Sequence, residues 1–485
     1  MAHDPHGTRL PIKLDTTSNG EYSPLPLERE HHHANQLAYD AASANAKRLG
    51  LDRRSFLVSA AGAASTLLGM NAAYAAAGKT GGFYDIDKTA ALDNALAQKT
   101  VGGNEFIFDV QGHFVNPTGA WTKLLPPGAK PLQMPKTQAC GPTKGPGQLD
   151  YLNCIGQDEF IKEVFMDSDT DLMVLSFVPS TKEREPLTIE EAFATSRIVE
   201  KLNGTHRLYI HGRVNPNSPG DLEAMDEMAA KYPIAAWKTY TQWGPDGKGF
   251  WLDDDIGIKF VEKAKKLGVK NIAIHKGLAF GPRSYEHSTC ADVGRIAKRF
   301  PDMNFLIYHS GLVADKAEGP YDEKRSDGID SLCTSLVANG IKPGSNVYAE
   351  LGSTWRIMMR NPDSAAHGLG KLFKFCGPDN VVWGTDSIWY GSPQDQIQAF
   401  RTFQISAALR DKHGYPEITP ALRAKVFGLN ALKIYPVPKD ILDKHLRTDK
   451  VAKDRENYRE RPDPSFVTYG PKTLRELLNL QSWGG

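Results

Sequence analysis

Asn271-Ile272-Ala273-Ile274-His275, Phe305-Leu306-Ile307-Tyr308-His309, Val347-Tyr348-Ala349-Glu350 and Val381-Val382-Trp383-Gly384-Thr385-Asp386 are the stretches that decide the fold. Each is a short apolar run that ends in a side chain able to bind metal or move a proton. The polar ends lie about 34, 41 and 36 residues apart, close to the length of one strand–helix unit. Near-continuous apolar strands alternating with helices predict a parallel sheet buried on both faces. Polar residues at the carboxyl ends of such strands converge on one mouth, where a barrel does its chemistry.

Upstream, four more strands read out at Glu105 to Phe114, Leu172 to Pro179, His206 to Pro216 and Ile234 to Trp243. Helical segments separate them: Asp150 to Met166, Ile189 to Leu202, Asp221 to Lys231 and Ile256 to Leu267. The last four strands carry helices near Cys290–Arg299, Ile329–Ala338, Ser364–Phe375 and Gln394–Arg410. Eight strands alternating with eight helices predict an α/β protein, a (β/α)₈ TIM barrel. An open doubly wound sheet would need a phosphate-cradling glycine loop after its first strand, and Asp109-Val110-Gln111-Gly112-His113 is not one. Asp85 to Lys99 reads as a helix before the barrel, and Thr419 to Leu429 as a closing helix. Asn116 to Gly147, rich in Pro, Gly and Lys, is long enough for a lid or binding loop. Residues 438–463 are densely and evenly charged, the pattern of a solvated tail or a surface arm. The expected organisation is a leader over 1–77, a barrel over 78–436 and a C-terminal extension over 437–485.

The chain has 485 residues and a formal net charge of +1, a balance that favours neither nucleic acid nor an anionic membrane. Its 5 cysteines are scattered, which argues against a thiolate metal site or a disulfide framework; a single Cys140–Cys154 bridge stays open. Residues 53–77 depart from the globular pattern. Arg53-Arg54-Ser55-Phe56-Leu57 leads into a small, apolar run from Val58 to Met70, and Ala73-Tyr74-Ala75 offers the small residues a signal peptidase requires. The run is too short and too rich in Ala and Gly for a permanent membrane anchor. It resembles a twin-arginine export signal, which implies the export machinery as partner and a periplasmic destination. The competing reading is an Ala-rich helix after a basic pair. The roughly 50 residues before Arg53 read as a disordered leader or a misassigned start, with His31-His32-His33 outside any packed core.

His113 follows the first strand, His275 and His309 end the fifth and sixth, and Asp386 ends the eighth. Imidazoles and a carboxylate suit a hydrolytic divalent ion with one position open for water. Lys238 could pair with a substrate carboxylate, bridge two metals if carbamylated, or balance the acid cluster. Glu350 could be a second acid or an ion-pair partner. His211 could bind substrate or line the wall, and Arg213, two residues on, could hold an anionic group bidentately. Trp389, with Tyr390, Trp355 and Trp243, could form an apolar pocket or pack helix against barrel.

Phe108-Asp109-Val110-Gln111-Gly112-His113-Phe114 resembles the Asp-x-His-x-His strand that opens amidohydrolase superfamily barrels. Val382-Trp383-Gly384-Thr385-Asp386, followed by Tyr390-Gly391-Ser392-Pro393-Gln394, resembles the last strand of the amidohydrolase-related branch, which includes aminocarboxymuconate-semialdehyde decarboxylase. Phe427-Gly428-Leu429-Asn430-Ala431-Leu432-Lys433-Ile434-Tyr435 resembles its closing helix. The resemblance spans roughly residues 105–436. It implies His113, His275 and Asp386 as metal ligands and His309 as the group beside the metal-bound water. Gln111 departs from the pattern, standing where the family carries its first metal histidine, and an amide oxygen is a poorer zinc ligand than an imidazole nitrogen.

These readings imply an exported, metal-dependent hydrolase acting on an amide, ester or lactone of a small organic molecule through a metal-activated water. One divalent ion is expected, zinc first, with Mn²⁺ or Mg²⁺ as alternatives. The ligands would be His113, His275 and Asp386, with Gln111 a fourth. His309 and Asp386 would move protons, and Arg213, Lys238, His211 and Trp389 would bind substrate. Non-oxidative decarboxylation of an unsaturated or aromatic acid is the alternative, and a metal-free barrel with a binding role is a third. A homo-oligomer is compatible with all three.

Overall fold

The computed structural model describes residues 4–124, 151–203, 205–244, 247–279, 284–438, 440–444 and 446–484. The greater part of the expected lid, from residue 125 to residue 147, lies outside them. Eight parallel strands follow chain order around the sheet: β1 (Phe108–Gly112), β2 (Leu172–Leu175), β3 (Leu208–Arg213), β4 (Ile234–Tyr240), β5 (Asn271–His275), β6 (Asn304–Tyr308), β7 (Val347–Glu350) and β8 (Val381–Val382). Backbone hydrogen bonds from Val110 N to Trp383 O (3.0 Å) and from Asp386 N to Gln111 O (3.0 Å) join β8 to β1. The expected barrel is therefore present, with all eight strands where the apolar runs lie.

Phe108, Val110, Leu172, Val174, Ala236, Ala273, Leu306 and Val382 share one buried cluster inside the ring. The β1–β2 ladder slips between Asp109 and Gly112. A slip of this kind changes which alternate residues face inward. Below it Phe108 and Val110 fill the interior; above it Gln111 and His113 reach the mouth. Asp109 ties the slipped strand to β8, accepting from Thr385 N (3.1 Å), the Thr385 hydroxyl and Gln111 N (3.0 Å).

The leader is folded. Helices span Arg29–Arg48, Arg53–Val58 and Ala60–Ala76. Ala34, Ala38 and Ala42 of the first are buried, and a Cβ on Gly69 of the third would stand 3.2 Å from Ala38 N. The Ala- and Gly-rich composition thus permits close helix packing. Phe56, Leu57, Leu67 and Met70 join the same core cluster as barrel-side residues such as Trp355 and Phe403. His31 is buried, not part of a disordered tract: it hydrogen-bonds Glu28 N (2.9 Å) and Arg360 O (2.8 Å). Arg54 donates to Asp463 Oδ1 (2.9 Å) and Pro464 O (2.7 Å). Among the described residues no helix is long and apolar enough to cross a membrane.

Two helix expectations change outright, and the helix expected over Asp150–Met166 is broken at Gly156 into Tyr151–Cys154 and Gln157–Ile161. The Asp85–Lys99 helix is a 3₁₀ turn (Lys88–Ala91) and a helix (Asn94–Thr100), because Asp93 caps Ala95 and Leu96 and starts the second piece afresh. The Gln394–Arg410 helix is cut at Thr402: Phe403–Ile405 pairs antiparallel with Gly82–Tyr84 before a new helix, Ala407–His413. Of the two readings of the 438–463 segment, the structure has the surface arm: Arg455 is buried with bonds to Phe165 O and Thr170 O, and Arg207 holds Asp449 through two bonds of 2.7 and 2.8 Å. Its charges meet partners distant in sequence, which a count of local charge does not see. Cys154 is disulfide-bonded, Cys140 lies outside the described residues, and Cys290, Cys333 and Cys376 are free thiols.

Candidate metal centre

β5 and β6 end in His275 and His309, both with no solvent exposure. Their rings meet edge to face with centroids 4.5 Å apart. His309 Nδ1 lies 2.7 Å from Gly352 O. A carbonyl only accepts, so the proton sits on Nδ1 and the Nε2 lone pair is left for a ligand. Metal-binding histidines are commonly oriented by such a bond. Among the described residues His309 Nε2 and both His275 nitrogens have no hydrogen-bond partner. Burial lowers the pKa of His309 to about 4 and that of His275 well below its ordinary value, so both rings are neutral, the form that binds metal.

The third member comes from the leader. Glu21 Oε1 lies 3.5 Å from His275 Nδ1 and its Oε2 3.7 Å from His309 Nε2. Among the described residues, Glu21, His275 and His309 are the group of metal-binding side chains whose ligand atoms all fall within 4.8 Å of one another. Unpartnered buried nitrogens facing a carboxylate fit a divalent ion.

His113 and Asp386 form a neighbouring pair, Nε2 to Oδ1 3.2 Å, outside that group. Asp386 also accepts from Gln111 Nε2 (3.1 Å), Ser353 Oγ (2.5 Å) and Asn19 Nδ2 (2.8 Å). Burial alone would raise its pKa, but its hydrogen bonds, with His113 first and Ser353 beside it, hold it well below the usual carboxylate range. Gln111 Oε1 and His113 Nδ1 are buried without partners among the described residues. His309, Ser310, Ser353 and Asp386 all have φ between 52° and 64°. Such backbone costs about 1–3 kcal/mol per residue and gathers at functional sites.

The remaining expected residues separate. Lys238 is fully buried; its Nζ stands 3.8 Å from the Tyr308 ring centroid and has no hydrogen-bond partner among the described residues. Burial lowers its pKa to about 7, against the opposing pull of Glu21, Glu350 and Asp386. Arg213 is held by Glu185 (2.7 Å) and Asp221 (3.2 Å), so its guanidinium is engaged within the fold. His211 contacts Ser176 Oγ at 3.0 Å and the Tyr308 hydroxyl at 3.4 Å, a wall position. Trp389 and His113 line a cavity of about 10 Å³, room for roughly one water. Glu350 accepts from His309 N (3.1 Å) and Gly352 N (2.5 Å) and so fixes the backbone around the sixth-strand histidine; burial raises its pKa to about 8.

Sequence reasoning missed Asn19, Glu21 and Tyr22. Tyr22 shares a 2.9 Å hydrogen bond with the Tyr390 hydroxyl. No local pattern marks these three, because their partners are at the far end of the chain and their surroundings read as leader.

The chain belongs to the amidohydrolase family, whose description, Amidohydrolase, matches residues 170–437. Solved structures with a similar fold include 5-carboxyvanillate decarboxylase LigW from Sphingomonas paucimobilis, 13% identical with a TM-score of 0.42, covering 69% of this chain and 100% of that one. Others are 2,6-dihydroxybenzoate decarboxylase from Rhizobium (14%, TM-score 0.39, 68% and 98%) and a putative 2-pyrone-4,6-dicarboxylic acid hydrolase from Pseudomonas putida (14%, TM-score 0.38, 68% and 98%). No curated protein matches the sequence.

Proposed function

We propose that this amidohydrolase-family protein is a metal-dependent hydrolase of an amide, ester or lactone bond in a small organic molecule. The observation that carries the proposal is the pair of buried, neutral imidazoles, His275 and His309, with ring centroids 4.5 Å apart, in which both His275 nitrogens and His309 Nε2 have no hydrogen-bond partner among the described residues. They would hold the ion together with a carboxylate. The bound ion supplies Lewis acidity toward a carbonyl and a nearby water. The Asp386 carboxylate faces His113 Nε2 and so directs that proton, leaving Nδ1 as the basic nitrogen. We assign to His113 the proton transfer expected of His309, with Asp386 orienting it. Lys238, its pKa lowered by burial to about 7, places an amine beside the cluster that an anionic substrate group would hold protonated.

The second reading is decarboxylation of an unsaturated or aromatic acid. It is favoured by the same Lys238, a buried amine with no hydrogen-bond partner among the described residues, which a substrate carboxylate would satisfy. Purified protein is expected to contain about one equivalent of Zn²⁺, Mn²⁺ or Mg²⁺ by elemental analysis, and to turn over members of an ester, lactone and carboxylic acid panel. Product without carbon dioxide supports hydrolysis; carbon dioxide in step with acid consumption supports the second reading. Protein that neither holds nor gains a divalent ion would leave only the metal-free binding role.

Export to the periplasm by the twin-arginine machinery is also proposed, with the leader kept on the chain and packed against the barrel after transport. Arg53-Arg54 with its Ala-rich sequel supports it, as does the disulfide at Cys154, which suits an oxidising compartment. Cell fractionation that recovers the protein only from cytoplasm would overturn this.

A further inference from the structure

Residues 4–28 run as an irregular arm over the mouth of the barrel. Lys13 Nζ donates to Tyr390 O (2.8 Å) and Ser392 O (2.7 Å), and Arg356 grips the arm at Lys13 O (2.5 Å) and Asp15 Oδ1 (2.9 Å). Thr17 bonds Thr468 of the C-terminal extension at 2.6 Å. Beyond these anchors the chain turns at Gly20, φ 93°, a conformation that favours glycine. The turn aims Asn19 at Asp386 and Glu21 at the two histidines. Asn19 braces the turn from both sides: its Oδ1 accepts from Glu21 N (2.9 Å) and its Nδ2 donates to Glu21 Oε2 (2.6 Å).

We infer that Glu21 is a ligand of the same ion as His275 and His309, and that the leader is therefore a retained part of the working site. The spacing supports coordination over a direct ion pair. A charge-assisted N–H···O bond would draw the atoms to about 2.7–2.9 Å. Two ligand atoms each about 2.1 Å from a tetrahedral ion stand roughly 3.4 Å apart. The observed 3.5 and 3.7 Å match the second arrangement. Asp386 is the weaker candidate for the carboxylate ligand, since His113, Gln111, Ser353 and Asn19 already surround its two oxygens. Glu21 also answers the gap in the first strand, where Gln111 stands in place of a histidine: the missing donor is supplied from outside the barrel.

Retention follows from packing. Ala73 and Tyr74 are 1% and 3% exposed, while Ala75 to Gly78 after them are exposed, so what argues for retention is the packed helix that precedes the peptidase-like bond. Removing the leader would strip Phe56, Leu57, Leu67 and Met70 from the core and take Glu21 with them.

The inference rests on the metal reading above, and the test separates the two. Full-length wild type, Glu21→Gln and Glu21→Asp are compared for metal content after dialysis and for the visible spectrum of their Co²⁺ forms, with thermal unfolding to show that each is folded. Metal-free wild type would defeat the proposed function itself. With metal-loaded wild type, we expect Glu21→Gln to bind the ion at least about tenfold more weakly, to shift the Co²⁺ bands, and to be partly rescued in Glu21→Asp. Unchanged affinity and spectrum in Glu21→Gln would overturn the inference, above all with raised activity, which would make the arm a plug. N-terminal sequencing that finds the native chain beginning after Ala75 would overturn it as well. An intact leader on the metal-loaded protein is the supporting result.

Discussion

A single backbone carbonyl, that of Gly352, decides what His309 does. By accepting a hydrogen bond from Nδ1–H it turns Nε2 toward Glu21 and His275, and burial keeps the ring neutral. His309→Ala and His275→Ala should therefore each lose bound metal together with activity, by elemental analysis of folded protein; full occupancy in either variant would remove that residue from the ligand set. Lys238 gives a pH-dependent prediction. Its folded pKa is lowered to about 7, below an unfolded value of about 10.4. Between those values the unfolded chain holds more protons, so stability rises with pH there by up to about 1.4 kcal/mol per unit. Below pH 7 the folded protein carries the buried ammonium and the penalty is complete. Lys238→Met, metal-free, should thus exceed wild type most at about pH 6.5 and lose that advantage toward pH 10, as read by denaturant titration. At this scale the sequence shows position well and partnership poorly. His275, His309 and Asp386 were legible because each directly ends an apolar run. That His113 pairs with Asp386, while His309 joins Glu21, depends on hydrogen bonds between segments that share no local pattern.

Elements were legible where their own residues dictate them. A run such as Asn271–His275, buried at every position, has only one comfortable home, a strand covered on both faces. The leader helix Ala60–Ala76 is harder to read, because a mildly apolar export core and a close-packed Ala/Gly helix have the same composition. Leu67 separates the two: it is fully buried in the main core. Leu67→Ala should lower stability by about 2–5 kcal/mol in full-length protein, seen as a lower melting temperature, whereas a leader hanging free of the barrel would leave it unchanged. The charged segment after residue 437 could be read only as tail or arm for a related reason, since charge density says nothing about whether partners exist. Asp449 both pairs with fully buried Arg207 and caps the Lys450–Glu460 helix through Ala452 N. Asp449→Ala strands a buried guanidinium, at a cost of about 3–5 kcal/mol. Loss of that order in chemical unfolding is expected; a change under 1 kcal/mol would mean that the tail is dispensable to the fold.

Across the whole molecule, both chain ends close over the same mouth. Ser18 N donates to Pro471 O (2.9 Å), Thr17 meets Thr468, Tyr469 N and Gly470 N donate to Trp389 O, and Glu21 lies against the histidines of β5 and β6. A closed cylinder was readable from alternating strands and helices; the clasp was not, since it joins segments about 450 residues apart whose composition reads as expendable. An ion held by Glu21, His275 and His309 would link the arm to the barrel, so it would stabilise the folded state by mass action, about 4 kcal/mol when free metal stands 1,000-fold above its dissociation constant. Two consequences separate this from an arm seated by hydrogen bonds alone. Chelation should lower the melting temperature by several degrees, restored by adding back Zn²⁺ or Mn²⁺. The same treatment should open the arm to trypsin at Lys13 and Arg29, with the released peptides identified by mass spectrometry, while the barrel strands stay protected. Arm cleavage at equal rates with and without the ion would show that Lys13, Arg356 and Thr468 seat the arm unaided, and that metal binding and closure of the mouth are separate events.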